Sequence, residues 1–158
     1  MEEIISTYRE EFRAPPRLLM GPGPSNVAPR VLQAMSASLL GHLDPDFLRV
    51  MDDVKEMLRL VFQTTNGITL PISGTGTAGM EAAMVNILEP DDTIVVGING
   101  YFGDRIAQIA TRCGANVHRV EAEWGHPLDP QAVEDEVKKH PKLKAVAMVH
   151  AETSTGVE

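Results

Sequence analysis

The stretch Ile72-Ser73-Gly74-Thr75-Gly76-Thr77-Ala78-Gly79 joins a short apolar run, residues 68–72, to a segment with the period of a helix. Apolar residues then recur at spacings of three and four, which predicts one helical face: Met80, Ala83, Met84, Ile87 and Leu88. A strand, a Gly/Thr loop and a helix N-terminus together form an anion site, because the first helical N–H groups have no partner and the helix dipole favours negative charge. The ligand expected at such a loop is a phosphate.

Downstream of this loop, strand and helix patterns alternate. Residues 93–97, 116–120 and 144–150 are predicted strands, the last of them buried, and residues 104–113 and a segment opened by Asp129-Pro130 are predicted helices. Upstream, Pro29 and Asp44-Pro45 each open a further predicted helix. This order indicates an α/β fold with a mainly parallel sheet and helices on its faces, a three-layer α/β/α architecture. Ligands of such sheets bind beyond the carboxyl ends of the strands.

Composition limits the classes of function. The 158 residues suit one domain with a core, and a net charge of −8 argues against nucleic acid or an anionic membrane as partner. No apolar run approaches the roughly 20 residues that cross a bilayer, and the acidic N-terminus is unlike a signal peptide. A single cysteine excludes an internal disulfide, and the expected setting is the cytoplasm. Because the last strand is followed only by a turn, the chain is expected to be the N-terminal part of a longer protein.

The same residues also allow two alternative functions. Gly74-x-Gly76-x-x-Gly79 is a literal match to the dinucleotide fingerprint and allows an NAD(P)-binding oxidoreductase domain. That interpretation needs a carboxylate at the end of the next strand, and residues 95–99 contain none. The second alternative is a non-catalytic binding or dimerisation module. A Walker loop is excluded because no Gly-Lys-Ser/Thr follows the glycines.

Two other predicted strand ends contribute to the same edge of the sheet. Tyr101 and Phe102 stand between glycines after the strand at 93–97, where an aromatic ring could stack on a planar ligand. Residues 150–156 bring hydroxyl side chains after the last strand. A phosphate cradle, a ring platform and hydroxyls at one edge together indicate a flat, phosphorylated cofactor.

The histidines do not predict a metal site. His118, His126 and His140 lie in polar contexts without ligand spacing. His150 and Glu152 form a His-x-Glu pair, but the Pro-Cys-x-x-Cys that completes a deaminase zinc site is absent. No metal is therefore expected.

Five motifs, in order and suitably spaced, resemble the N-terminal part of class V aminotransferases of fold type I, which use pyridoxal 5′-phosphate (PLP). The likeness runs from residue 18 to residue 157 and is greatest to the alanine–glyoxylate, serine–glyoxylate and serine–pyruvate group. The motifs are Gly21-Pro22-Gly23-Pro24-Ser25-Asn26, Gly41-His42-Leu43-Asp44-Pro45-Asp46-Phe47, Ser73-Gly74-Thr75-Gly76-Thr77, Asn99-Gly100-Tyr101-Phe102-Gly103 and His150-Ala151-Glu152-Thr153-Ser154-Thr155-Gly156.

The resemblance implies a role for particular residues. It implies that Thr75, Gly76 and Thr77 hold the cofactor phosphate. It also implies that Phe102 stacks on the cofactor ring and that the Thr153 hydroxyl lies near the ring oxygen. Those implied for the substrate pocket are Gly21, Pro22 and His42, the last also a candidate for a subunit interface.

The resemblance also implies an organisation. Residues 1–17 would be an arm that reaches a partner subunit, and residues 18–158 the N-terminal part of the PLP-binding domain of a homodimer with its active site at the interface. The substrates would be an amino acid such as alanine or serine and glyoxylate or pyruvate. The Schiff-base lysine, the aspartate at the pyridine nitrogen and the arginine for the substrate carboxylate would all follow Glu158. No catalytic residue is therefore assigned within this chain, which by itself is expected to be inactive.

Overall fold

A computed structural model describes residues 13–158, which form two units divided between Ala37 and Ser38. The predicted arm, residues 1–17, lies mostly outside the described residues, and residues 13–17 form neither helix nor strand. Among the described helices, none is both long enough and apolar enough to cross a membrane. The elements in chain order are α1 (Pro29–Met35), α2 (Pro45–Phe62), α3 (Gly76–Ile87), β1 (Thr93–Ile98), α4 (Tyr101–Arg112), β2 (Asn116–Glu121), α5 (Pro130–Lys138) and β3 (Leu143–Ala147).

The second unit is built on a three-stranded parallel sheet in the order β2-β1-β3, which confirms the predicted α/β class. The central strand β1 is the core of the sheet, and Ile94, Val95 and Val96 are fully buried. Ile94, Val96 and Ile98 pack against α3 and α4, whereas α5 also contacts β1 and β2. Because successive side chains of a strand point to opposite faces, Val95 faces away from α3 and α4.

Local capping signals correctly predict where two helices begin. The Asp44 carboxylate accepts a hydrogen bond from the Asp46 N–H at 2.8 Å, and Asp129 accepts one from the Gln131 N–H at 2.9 Å. Each aspartate thus satisfies a helical donor that has no partner within the helix. Gly114, with φ of +82°, lies just beyond α4 in the left-handed conformation that glycine adopts without strain.

The predicted strand at residues 68–72 is wrong. This segment belongs to no strand among the described residues, and Ile68 and Leu70 are 82% and 52% exposed. An apolar run becomes a strand only when a neighbour supplies ladder hydrogen bonds, and none of the described strands pairs with residues 68–72. The glycine loop is therefore preceded by an irregular segment rather than by a paired strand.

Two predicted burial patterns are confirmed only in part. Met84 of α3 and Leu88 just beyond it enter the core, but Ala83 and Ile87 are exposed. The last strand is shorter than predicted and alternates between half-buried and exposed residues, with Val146 exposed, instead of being buried throughout. In the described sheet β3 is an edge strand, and Lys144 and Val146 on one of its faces are exposed.

Replacing Gly103 with alanine is expected to destabilise the second unit by about 1–3 kcal/mol, as overpacking of a core does. A Cβ at this position would lie 2.9 Å from the Gly97 carbonyl oxygen and 3.0 Å from the Ile98 Cα. Both obstacles are backbone, so α4 would have to move away from β1. Urea unfolding measures the change. Gly79→Ala is the matched control, because its Cβ enters open space within a helix; equal stability of Gly103→Ala and the wild-type chain would contradict this packing argument.

Candidate active site

The first turns of α3 and α4 and the segment after β3 meet around a cavity of about 450 Å³. All five residues predicted to hold the cofactor line it, together with three apolar side chains. The lining residues are Thr75, Gly76, Thr77, Met80, Phe102, Val149, Ala151 and Thr153. The structure therefore brings together side chains that are up to 78 residues apart, from Thr75 to Thr153.

The N-terminus of α3 is open toward this cavity. Thr75 is the N-cap residue, but its side chain makes no capping hydrogen bond. Within residues 13–158, the N–H groups of Gly76, Thr77 and Ala78 donate to no protein acceptor. The first turn also carries no acidic residue. Free donors and the positive end of the helix dipole at a cavity are suited to an anion such as a phosphate.

The N-terminus of α4, in contrast, is fully capped by residues about 50 positions later in the chain. The Tyr101 N–H donates to the Ser154 Oγ at 2.9 Å. The Phe102 and Gly103 N–H groups both donate to the Glu152 Oε2, at 3.0 and 3.1 Å. These bonds start the helix three residues before the predicted Asp104 and fix the backbone that carries the Phe102 ring.

Glu152 is a fully buried carboxylate that stays ionised. Burial by itself would raise the pKa of Glu152, but hydrogen bonds from the Ser154 hydroxyl and from the N–H groups of Gly103, Ser154 and Phe102 lower it below its ordinary value. The approach of this carboxylate also requires a glycine at position 100. A Cβ there would lie 2.6 Å from the Glu152 Cδ and 2.7 Å from the Ser154 Oγ.

Sequence reasoning assigned no role to Glu152, although it considered the residue in a zinc motif and quoted it within the family motif at residues 150–156. The signal that could have found it is the start of α4, since Gly100 has no side chain that can cap a helix. A helix that begins without a local cap needs its acceptors from elsewhere. The polar segment 150–156 supplies these acceptors.

The two aromatic residues of α4 have different surroundings. Phe102 is half-buried and lines the cavity, whereas Tyr101 is 47% exposed and packs edge-to-face against Phe102 with ring centroids 5.4 Å apart. The Arg105 guanidinium lies 5.8 Å from the centroid of the Tyr101 ring. Only the Phe102 ring is thus available to a ligand in the cavity.

The predicted substrate-pocket residues are not part of this lining. Gly21 and Pro22 are exposed and belong to the first unit, where Asn26 closes their loop by accepting from the Leu19 N–H and donating to the Arg17 carbonyl oxygen. His42 is exposed in the turn before α2 and does not line the cavity. A substrate role for these three residues stays a prediction.

Comparison with known proteins identifies the family. Residues 17–158 match the sequence profile of the aminotransferase class-V family. The chain belongs to this family. It is 49% identical over 148 residues to the (S)-ureidoglycine–glyoxylate transaminase of Bacillus subtilis and 46% identical over 143 residues to the alanine–glyoxylate aminotransferase of Mus musculus. These matches cover 94% and 90% of the chain but only 35% and 34% of the relatives, so the chain spans about a third of their length.

Solved structures agree with this assignment. The crystal structure of the alanine–glyoxylate aminotransferase from Nostoc sp. superimposes with a TM-score of 0.88 at 47% identity, covering 94% of this chain and 39% of that one. The ureidoglycine–glyoxylate aminotransferase from Bacillus subtilis gives a TM-score of 0.87 at 48% identity, covering 93% and 38%. Class V aminotransferases of this kind depend on PLP.

The oxidoreductase alternative is not supported by these comparisons. The structure supplies a physical reason. In a dinucleotide-binding unit the glycine loop follows the first strand of a strand–helix–strand unit, and the acidic ribose ligand ends the second strand. Here the loop follows the unpaired segment 68–72, and the next strand, β1, ends at Ile98 and is followed by Asn99, neither of which is acidic. The glycine spacing alone therefore does not indicate a dinucleotide-binding unit.

Proposed function

We propose that this chain forms the phosphate-binding and ring-binding part of the PLP site of an aminotransferase. The observation that supports this most directly is the contrast between two helix N-termini at one cavity. Glu152 and Ser154 saturate the start of α4, while the start of α3 keeps its donors free. An anionic ligand would accept hydrogen bonds from these free N–H groups at the start of α3.

Each lining residue would act in a defined way. The N–H groups of the first turn of α3 and the Thr75 and Thr77 hydroxyls would bind the phosphate, with Gly76 allowing its close approach. Phe102 would cover one face of the ring and exclude water from it, and the Thr153 hydroxyl would donate to the ring oxygen. When bound, PLP supplies an electron sink for the α-carbon of an amino acid. We propose that the lysine, aspartate and arginine of the complete site come from chain outside these 158 residues.

For the whole protein we propose transamination of a small amino acid, such as alanine or serine, with glyoxylate or pyruvate as acceptor. The names of the relatives support glyoxylate as acceptor and extend the possible donors to ureidoglycine. We further propose a cytoplasmic homodimer with its active site between subunits. The exposed apolar residues of α2 support an interface, among them Leu60, Val61 and Phe62, which are 80%, 73% and 71% exposed.

Thr77→Val is expected to weaken PLP binding about 10- to 100-fold, because it removes a hydroxyl that donates to a charged group while retaining the shape of the side chain. Equilibrium dialysis of the chain against PLP measures the affinity. Thr65→Val makes the same change at an exposed position outside the cavity and should bind as the wild-type chain does. Wild-type affinity in Thr77→Val, or tighter binding of NAD than of PLP, would contradict the proposal.

A further inference from the structure

Three side chains outside the PLP cavity converge between β2 and the C-terminal end of α5. His118 lies on β2, Glu136 on the last turn of α5, and His140 two residues beyond that helix. The His140 Nε2 is 3.0 Å and the His118 Nδ1 3.6 Å from the same oxygen, Glu136 Oε1. One ligand atom from each residue lies within 4.8 Å of the other two. The sequence predicts no metal site because these residues are not spaced along the chain as metal ligands usually are.

The carboxylate of Glu136 is oriented so that one oxygen faces both histidines. Its other oxygen, Oε2, pairs with the Lys139 ammonium at 2.8 Å. The Oε1 atom therefore faces one ring nitrogen of each histidine, while Oε2 is held by Lys139.

The two imidazole rings lie close enough to each other to coordinate one ion. The His118 and His140 ring centroids are only 3.7 Å apart, with the planes tilted by 36°. Each ring has one nitrogen within 4.8 Å of the other two candidate ligand atoms, so both can coordinate one ion. Two imidazole nitrogens and one carboxylate oxygen are a ligand set that binds zinc with a fourth position left for water.

We propose that His118, Glu136 and His140 bind a divalent first-row transition ion, for which Zn²⁺ is the best match. The side chains of His118, Glu136 and His140 are 37%, 20% and 20% exposed, which leaves access for the ion and for a water ligand. None of the three residues lines the PLP cavity. The ion would tie β2 to the connection between α5 and β3, and the proposal is independent of the proposed function.

Isothermal titration of the chain with ZnCl₂ near neutral pH tests the site. We expect one equivalent of Zn²⁺ to bind to the wild-type chain. His118→Ala and His140→Ala should each lower the affinity at least about 10- to 100-fold, the range already seen when a residue that only supports a ligand is lost. His126→Ala is the matched control, because it removes an exposed histidine outside the cluster and should leave the affinity unchanged.

Glu136→Gln is a second variant that retains the size of the side chain and one acceptor oxygen. It carries the test if an alanine variant fails to fold. It should lower Zn²⁺ affinity at least about 10-fold and remove the visible absorption that four-coordinate Co²⁺ gives in the wild-type chain. The proposal is overturned if the wild-type chain binds no Zn²⁺ saturably, if the cluster variants bind as tightly as the wild type, or if His126→Ala weakens binding equally.

Discussion

Glu152→Ala is expected to destabilise the chain by about 3 kcal/mol or more, a large part of the 5–15 kcal/mol that typically stabilises a domain. The substitution leaves the buried N–H groups of Phe102 and Gly103 and the Ser154 hydroxyl without their acceptor. Each buried donor left unsatisfied costs about 1–3 kcal/mol. Urea unfolding of the two chains measures the difference. A loss below about 1 kcal/mol would mean that the start of α4 does not depend on this carboxylate.

The conservative variant Glu152→Gln separates the charge from the shape of the side chain. Because the folded-state pKa of Glu152 is lowered below its ordinary value of 4.5, its ionised form adds stability above pH 4.5 that is lost as the pH falls through the lower folded-state value. Wild-type stability should therefore fall more steeply with acidification than that of Glu152→Gln. A stability difference between the two that stays constant from about pH 7 to pH 3 would contradict this linkage.

Glu152 is also a positioning residue for the proposed PLP site, since it holds the backbone of Phe102 and does not line the cavity. Glu152→Gln, which keeps an acceptor for the two N–H groups, should retain more PLP binding than Glu152→Ala under conditions in which both variants are folded. Such rescue by the conservative variant distinguishes orientation of the Phe102 ring from general loss of structure.

The elements that the sequence predicts well are those whose signals are local. Asp44 and Asp129 cap their helices through N–H groups two residues away, and β1 begins with four β-branched residues, 93–96. The loop at Thr75–Thr77 is likewise recognisable because its donors belong to the helix that it opens. Such features need no knowledge of the rest of the chain.

The features that escaped prediction depend on contacts distant in sequence. The acceptors that start α4 lie 49 to 53 residues later, and His118 meets Glu136 and His140 only after β2 and α5 have packed. For residues 68–72 the sequence predicts a strand that the structure does not form, because an apolar run does not indicate whether a partner strand pairs with it. Pairing and capping from a distance are tertiary properties, and periodicity carries no information about them.

Thr77→Asp is expected to change stability and PLP binding in opposite directions. Thr77 lies in the first turn of α3, which has no acidic residue, so an aspartate there should stabilise the helix by about 0.3–1 kcal/mol through the dipole. The same charge would occupy the free donors and repel a phosphate. Two unit charges about 4 Å apart at an effective dielectric constant of about 20 repel by about 4 kcal/mol. Because Thr77 is partly exposed, we expect a loss of affinity of at least about 100-fold.

Thr77→Asn is the matched control, because it has the size of aspartate without its charge and should lose affinity only about as much as Thr77→Val. Thermal unfolding without PLP and equilibrium dialysis with PLP measure the two effects on the same preparations. A general defect in folding would lower stability and affinity together, whereas an anion site at the open terminus predicts a more stable chain that no longer binds. Thr77→Asp that binds PLP within about 10-fold of Thr77→Asn would show that the first turn of α3 does not hold the phosphate.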